Sequence, residues 1–110
     1  MRALRQVLAA VTVQALAAAS AHAGEVVKVD IRDLVFAPTE ITVRAGDSVE
    51  WSNTDFVDHT ATAKEGELDL LIPAEKSARV ELRRSGTVVY YCRFHPAMTG
   101  IIHVVDADRR

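Results

Sequence analysis

This 110-residue chain has a single cysteine, Cys92. A disulfide within the chain is therefore impossible, although small secreted domains often depend on disulfides or on a bound metal. A lone thiol is a liability in an oxidising compartment unless it is buried or bound. Cys92 is therefore either an inert buried residue or a metal ligand.

Long runs of like charge are also missing. The chain has 13 Lys and Arg against 15 Asp and Glu, for a formal net charge of −2. Nothing in this balance favours nucleic acid as a partner, and we expect none. No internal repeat or low-complexity segment is present either, so a single small domain is expected.

A long apolar run occurs only near the N-terminus. Two arginines precede an apolar stretch from Val7 to Ala19, and the small-residue pattern Ala21-His22-Ala23 follows it. These features predict a secretory signal peptide over residues 1–23. A transmembrane helix would need about 20 predominantly apolar residues, and this stretch is too short and too rich in alanine. A mitochondrial transit peptide, the alternative, should be rich in serine, and only Ser20 is present.

Export implies a mature domain over residues 24–110, located in the periplasm and without a membrane span. Apolar and polar residues alternate along several short segments of this domain, which indicates strands. Turn signals separate the segments and helix periodicity is lacking, so we predict an all-β fold, a sandwich or a barrel. The segment from Thr60 to Lys76 is the least clear, and within it residues 65–71 suit a helical turn or an irregular loop. The few aromatic residues should be core, above all Trp51, Phe36 and Tyr90.

Cys92, His95 and Met98 are the most informative group. They place a thiolate, an imidazole and a thioether within seven residues. Blue-copper sites use two His and one Cys with a weak axial Met. His59 is the candidate for the missing histidine and is expected just after a strand. The alternatives are a buried inert thiol, an ordinary loop histidine and a core methionine.

Period-two spacing puts Val88, Tyr90 and Cys92 on one strand face, which would bury the thiol if that face is the core. His103 falls in the last strand and is interpreted as a surface residue, not as a ligand.

Two parts of the sequence, one in each half of the mature domain, form a single longer pattern. The front part is Phe36-x-Pro38-x-x-Ile41-x-Val43-x-x-Gly46-Asp47-x-Val49-x-Trp51-x-Asn53-x-Asp55-x-x-x-His59-Thr60, and the back part is Gly86-Thr87 through Tyr90-x-Cys92-x-x-His95-Pro96-x-Met98-x-Gly100. Together they resemble a small cupredoxin, a type 1 blue copper protein. The short spacers and the proline after the second histidine resemble the amicyanin branch of the plastocyanin-like proteins.

The resemblance implies a Greek-key β-sandwich that binds one type 1 copper through His59, Cys92, His95 and Met98. It implies an electron carrier that cycles between Cu(II) and Cu(I), not an enzyme. Asn53 matches a position that helps to tie the His59 loop to the Cys92 loop.

The resemblance also implies that one edge of the His95 ring is exposed through an apolar patch, here formed by Phe94, Pro96 and Ala97. Redox proteins such as a c-type cytochrome or a periplasmic dehydrogenase would contact this patch transiently. The carrier itself is expected to be a monomer.

The chain departs from the family pattern at four places, one of which has two residues. Val88 stands where tyrosine is usual, Phe94 where amicyanins have proline, and Ala97 where a bulkier residue is common. Ala74-Glu75 stands where a turn glycine is common. These differences concern a stabilising tyrosine hydrogen bond and the partner surface rather than the metal.

Three other functions compete with electron transfer. A copper chaperone or copper store could use the same ligands. A copper enzyme would need further domains and a second type of copper site. A structural zinc module is disfavoured because such sites use Cys and His, not Met.

Overall fold

The computed structural model describes residue 3, residues 9–12 and residues 24–108. The signal peptide predicted over residues 1–23 thus falls almost entirely outside the described residues. No helix in the described part of the chain is long and apolar enough to cross a membrane. The described residues form nine strands: β1 Val26–Arg32, β2 Val35–Ala37, β3 Glu40–Arg44, β4 Ser48–Asn53, β5 His59–Ala63, β6 Asp69–Ile72, β7 Ser77–Glu81, β8 Gly86–Tyr91 and β9 Thr99–Val105.

The strands form two sheets that enclose one core. The four-stranded sheet has the order β2-β1-β4-β7, and the five-stranded sheet has the order β3-β9-β8-β5-β6. Two pairs, β1 with β4 and β3 with β9, are parallel, because the chain crosses between the sheets before it returns beside an earlier strand. The all-β sandwich predicted from the sequence is confirmed.

Three aromatic side chains form the centre of the core, as predicted. Trp51, Phe36 and Tyr90 are at most 1% exposed, and the Tyr90 ring packs edge-on against both neighbours at centroid distances of 4.7 and 5.6 Å. Trp51 Nε1 donates a hydrogen bond to the Tyr90 hydroxyl at 3.3 Å. Gly100 pairs with Tyr90 across β8 and β9, and a Cβ at Gly100 would lie 2.4 Å from the Tyr90 ring. Glycine is required at position 100 for this packing.

The segment that was least clear in the sequence contains two strands. Residues 59–63 form β5, and residues 69–72 form β6, which pairs with it in antiparallel register. The expectation of a helical turn or an irregular loop over residues 65–71 is therefore wrong for residues 69–71. Alternation cannot be seen in β5 because all five of its residues are buried. Its partner β6 is a four-residue edge strand, too short to show a period.

Candidate metal centre

Strand β8 delivers Cys92 to the interior. Val88, Tyr90 and Cys92 are 8%, 1% and 0% exposed, so they share the core face, as the period-two spacing predicted. Cys92 follows directly after the last residue of β8. Its thiol is therefore buried at the end of a strand, at the point where a loop begins.

Backbone hydrogen bonds fold the loop 92–98 into two successive tight turns. The His95 N–H donates to the Cys92 carbonyl, and the Met98 N–H donates to the His95 carbonyl. The Cys92 N–H in turn donates to the Met98 carbonyl at 3.1 Å, which closes the loop. The three-residue spacing in the sequence is thus the spacing of these turns, and the first turn brings His95 Nδ1 to 3.8 Å from Cys92 Sγ.

His59 belongs to a different part of the chain but lies next to Cys92. It is the first residue of β5 and is 0% exposed. The expectation that His59 lies just after a strand needs correction, because β4 ends at Asn53 and a loop of five residues separates the two strands. The His59 side chain points into the sandwich, where it is fully buried and its Nδ1 faces Cys92.

The distances between the donor atoms fit a single metal ion. Cys92 Sγ lies 3.7 Å from His59 Nδ1 and 3.8 Å from His95 Nδ1. With metal–sulfur and metal–nitrogen bonds of about 2.3 and 2.0 Å and a trigonal angle near 120°, a separation of about 3.7 Å is expected. All three donor atoms lie within 4.8 Å of one another. His59, Cys92 and His95 therefore form a set that could hold a metal through two Nδ1 atoms and one sulfur.

Asp55 fixes the orientation of His59. His59 Nε2 lies 2.8 Å from Asp55 Oδ2, so the ring donates there and leaves Nδ1 free to face Cys92. A carboxylate behind a ligating histidine selects the tautomer and raises the basicity of the ligand. Asp55 also accepts hydrogen bonds from the backbone N–H groups of Asp33 and Leu34. Burial alone would raise the pKa of Asp55, but these N–H groups and the His59 ring outweigh it and leave the pKa lowered.

Sequence reasoning assigned no role to Asp55, although it falls within the quoted pattern. It precedes His59 by four residues in a loop, where spacing does not determine which side chains meet. The only available signal was a carboxylate close in sequence to a candidate ligand, and that signal is weak.

Asn53 connects the His59 loop to a different segment from the one expected. Its Nδ2 lies 2.9 to 3.2 Å from the carbonyl oxygens of Val57, Ile72 and Pro73, and its Oδ1 accepts the Asp55 N–H. Asn53 thus ties the loop before His59 to the end of β6. Within the described residues no hydrogen bond joins its side chain to the Cys92 loop.

Thr60 makes that link instead. Its backbone N–H points at Cys92 Sγ at 3.4 Å, and its hydroxyl accepts the Arg93 N–H at 2.8 Å. Thr60 is 0% exposed. In the sequence, Thr60 was noted only as the residue after His59, and its contacts with Cys92 and Arg93 were not predicted.

The remaining candidates differ in burial. Met98 is buried, at 5% exposure. Phe94, Pro96 and Ala97 are exposed and flank the half-buried His95. His103 lies apart from the cluster on β9, where it faces Glu40 and Thr87.

Comparison with known proteins agrees with this geometry. A family model described as a cupredoxin-like domain matches residues 5–104. The chain is 31% identical to amicyanin-alpha of Methylorubrum extorquens strain AM1 over 118 aligned positions, which cover 94% of this chain and 99% of that protein. The chain therefore belongs to the cupredoxin-like family, and within that family it is amicyanin-like.

Solved structures give the same assignment. Amicyanin from Paracoccus versutus matches with a TM-score of 0.64 at 27% identity, over 72% of this chain and 80% of that one. A copper-containing nitrite reductase from Thermus scotoductus SA-01 matches with a TM-score of 0.62 at 27% identity, over 71% of this chain. The match covers only 22% of the reductase chain.

Proposed function

We propose that this protein is a type 1 copper electron-transfer protein that cycles between Cu(II) and Cu(I). His59, Cys92 and His95 would hold the copper, and Met98 would be a further, weaker ligand. The observation that carries the proposal is the convergence of one thiol and two Nδ1 atoms within 4.8 Å, from two separate parts of the chain.

Bound copper would supply a one-electron couple. The contribution of the protein is a donor set that is held in place before and after electron transfer. His59 and Cys92 are fully buried. The Asp55 contact holds the His59 ring, and the Thr60 N–H contact holds the Cys92 sulfur. Donors that cannot move favour a geometry intermediate between the preferences of the two oxidation states. The reorganisation energy should then be small and electron transfer fast.

The partner surface belongs to the same proposal. The loop residues next to the half-buried His95 are exposed and apolar, namely Phe94, Pro96 and Ala97, and Phe94 is 52% exposed. A small apolar patch suits a transient redox encounter better than a permanent interface. The partners would be redox proteins such as a c-type cytochrome or a periplasmic dehydrogenase. The N-terminal pattern supports export to the periplasm with residues 24–110 as the mature monomer.

The visible spectrum of the copper-loaded protein is the direct test. A thiolate bound to Cu(II) should give one copper per chain and an intense blue absorption, and Cys92→Ser should abolish the colour. Met98→Gln should retain the copper and lower the reduction potential, because an oxygen donor stabilises Cu(II). A colourless protein with one equivalent of bound Cu(II) would refute the type 1 assignment. An unchanged spectrum and potential in Met98→Gln would remove Met98 from the ligand set.

Copper delivery, the alternative function, is separable by a transfer assay. Full burial of His59 and Cys92 favours retention over release. A carrier should complete many redox cycles in the presence of an equal concentration of an apo-acceptor protein without losing copper. Rapid transfer of Cu(I) to the acceptor would favour the chaperone role.

A further inference from the structure

The residues just before β1 are packed against the turn between β3 and β4. The Glu25 N–H donates to Asp47 Oδ1 at 2.9 Å, and the Glu25 carbonyl accepts the Ser48 N–H at 2.9 Å. A Cβ at Gly24 would lie 2.0 Å from the Gly46 carbonyl oxygen, so only glycine allows this close approach. The turn therefore holds the chain from residue 24 onwards.

The Asp47 carboxylate is buried in this turn without a cation. It is 7% exposed, and its second oxygen accepts the Arg44 N–H at 2.8 Å. Among the described residues no lysine, arginine or histidine forms an ion pair with it. Two backbone N–H groups give each oxygen one hydrogen bond, but an ionised carboxylate can accept about four. The buried charge is thus hydrogen-bonded and still able to accept a cation.

A cation at the Gly24 nitrogen would be close enough to supply the missing charge. This nitrogen is three bonds from the Glu25 nitrogen, which limits the distance between the two atoms to about 3.6 Å. The Gly24 Cα lies within about 4.3 Å of the Asp47 Cα, since a Cβ on it would be 2.8 Å from that atom. Rotation about the Cα–C bond of Gly24 then determines how near the nitrogen comes to the carboxylate. In an uncleaved chain the same nitrogen is a neutral amide.

We propose that cleavage of the signal peptide after Ala23 creates an α-ammonium at Gly24 that forms an ion pair with the Asp47 carboxylate. The proposal rests on the proposed export and cleavage of the chain, not on the copper site. The pattern Ala21-His22-Ala23 belongs to the sequence, whereas the receiving carboxylate and the close glycine contact belong to the fold. Export would thereby stabilise the domain after cleavage, because the precursor lacks this charge.

The other charged groups of this region are exposed. The residue after Gly24 and the segments that contact the turn contribute Glu25, Arg44, Arg83 and Asp106. Glu25 is the competing partner, because it follows Gly24 directly in the chain. Gly24 is itself exposed, so the ammonium lies at the surface and its ion pair is worth only a modest amount of stability.

Mass spectrometry of the full chain, expressed with its own leader and recovered after export, identifies the first residue of the processed protein. Gly24 is expected. Any other first residue would overturn the proposal, because the ammonium would then belong to a different position. Treatment with pyridoxal 5′-phosphate next converts the N-terminal glycine ammonium to an uncharged aldehyde without changing the length of the chain.

Urea denaturation of the processed protein as isolated, before and after this conversion, measures the ion pair. At about pH 6.5 an ordinary α-amino group is charged. Its loss should raise the unfolding equilibrium constant of the wild-type protein about two- to fivefold, as for other surface ion pairs. In Asp47→Asn the conversion should have no effect, and in the matched control Glu25→Gln it should act as in the wild type. Equal responses of wild type and Asp47→Asn, or a response lost in Glu25→Gln, would overturn the pair.

An NMR titration of the processed wild-type protein keeps the test decisive if Asp47→Asn does not fold. The α-protons of Gly24 report the protonation of its amine. Pairing with a carboxylate favours the charged form, so the pKa of this amine should lie above the usual value of about 7.7–8.0 and should stay raised in Glu25→Gln. An ordinary pKa in the wild type would overturn the ion pair.

Failure of the ion pair is distinguishable from failure of the other proposals. A first residue other than Gly24 would refute the predicted cleavage site together with the pair. A blue protein that begins at Gly24 but has an ordinary amine pKa would refute only the pair. A raised amine pKa in a protein that never turns blue would support the pair and refute only the copper site.

Discussion

At the scale of single residues, Asp55 shows how one side chain can organise a site that it does not itself form. One oxygen accepts the Asp33 N–H, and the other accepts the Leu34 N–H and the His59 ring. The carboxylate thereby connects the turn after β1 to the buried histidine. The orientation of a ligand thus depends on a turn of the opposite sheet.

Asp55→Asn should lower the affinity for Cu(I) by about 10- to 100-fold, the usual cost of losing a partner behind a ligating histidine. The amide keeps the size of the side chain but removes the charge that holds the His59 tautomer. Competition with a chelator of known affinity measures the effect. Asp58→Asn is the control, because Asp58 accepts only the Ala74 N–H among the described residues and lies in the same loop. Equal affinities for the two variants would mean that the Asp55 charge does not support His59.

At the scale of secondary structure, the turn between β1 and β2 departs from its ideal sequence. Its two residues, Asp33 and Leu34, have φ of 51° and 61°, and the flanking residues Arg32 and Val35 pair across the hairpin. Two positive φ values define the I′ type of turn, which favours asparagine followed by glycine. A leucine in the left-handed region costs about 1–2 kcal/mol.

Leu34→Gly should therefore raise the free energy of unfolding by about 0.5–1 kcal/mol, after the greater flexibility of glycine in the unfolded chain is subtracted. Little burial is lost, since Leu34 is 45% exposed. Urea denaturation of the metal-free protein measures the difference. Val35→Gly, one residue further on in the regular part of β2, should instead destabilise the protein. A destabilised Leu34→Gly variant would mean that Leu34 contributes contacts that outweigh its backbone strain.

The strands that could be predicted from the sequence are those with one face in water. In β4 and β9 buried and half-exposed residues alternate throughout, so the sequence shows the period. Strand β5 is buried on both faces, because the ligand loop and β6 cover its outer side, and a small-residue strand of this kind has no visible pattern. The proximity of Cys92 and His95 could be predicted for a related reason, since one local turn brings them together.

The parts of the site that could not be predicted depend on contacts between distant segments. Asp55 meets the turn at residues 33 and 34, and Thr60 meets Arg93, across separations of 21 to 33 residues. The carbonyl oxygens of Val57, Ile72 and Pro73 that Asn53 contacts could not be predicted for the same reason. A hydrogen-bonding side chain shows what it can bind, but only the packing of the two sheets determines which carbonyl comes within its reach.

At the scale of the whole molecule, the buried Tyr90 hydroxyl couples stability to alkaline pH. Burial raises the pKa of Tyr90 from 10.0 to about 12, and the hydrogen bond from Trp51 offsets only part of this. Below pH 10 the phenol is neutral in both the folded and the unfolded chain. Between pH 10 and 12 the unfolded chain loses the proton while the folded chain keeps it. Stability should therefore fall by about 1.4 kcal/mol per pH unit in this window from this group.

Tyr90→Phe should be less stable at neutral pH, where it loses the hydrogen bond, but its stability should decline less steeply from pH 10 to 12. Urea denaturation at several pH values gives both slopes. Tyr91→Phe is the control, because Tyr91 is half-buried at the end of the same strand. Parallel slopes for the wild-type and Tyr90→Phe proteins would show that Tyr90 does not carry the alkaline transition.

The metal should add stability to a fold that already exists without it. Every buried side-chain nitrogen and oxygen of the described residues has a hydrogen-bond partner within the protein. The aromatic core of Trp51, Phe36 and Tyr90 is joined by its own ring contacts and by a hydrogen bond. The metal-free protein should therefore unfold in one cooperative transition, but at a lower temperature than the Cu(II) form. Ligand bound only to the folded state adds about 2.7 kcal/mol at 100 times its dissociation constant.

For a domain of this size each kcal/mol corresponds to roughly 4–8 °C, so the difference in melting temperature should be about 10–20 °C and should grow with copper concentration. Differential scanning calorimetry of the two forms measures it. Cys92→Ser removes the sulfur donor at nearly constant volume, and its melting temperature should respond much less to copper. If the metal-free protein instead lacked a cooperative transition, the site would be part of the fold itself. A ligand held at a preformed site of the folded state must shift the unfolding equilibrium by mass action. Equal melting temperatures with and without copper would therefore mean that metal binding and folding are not coupled.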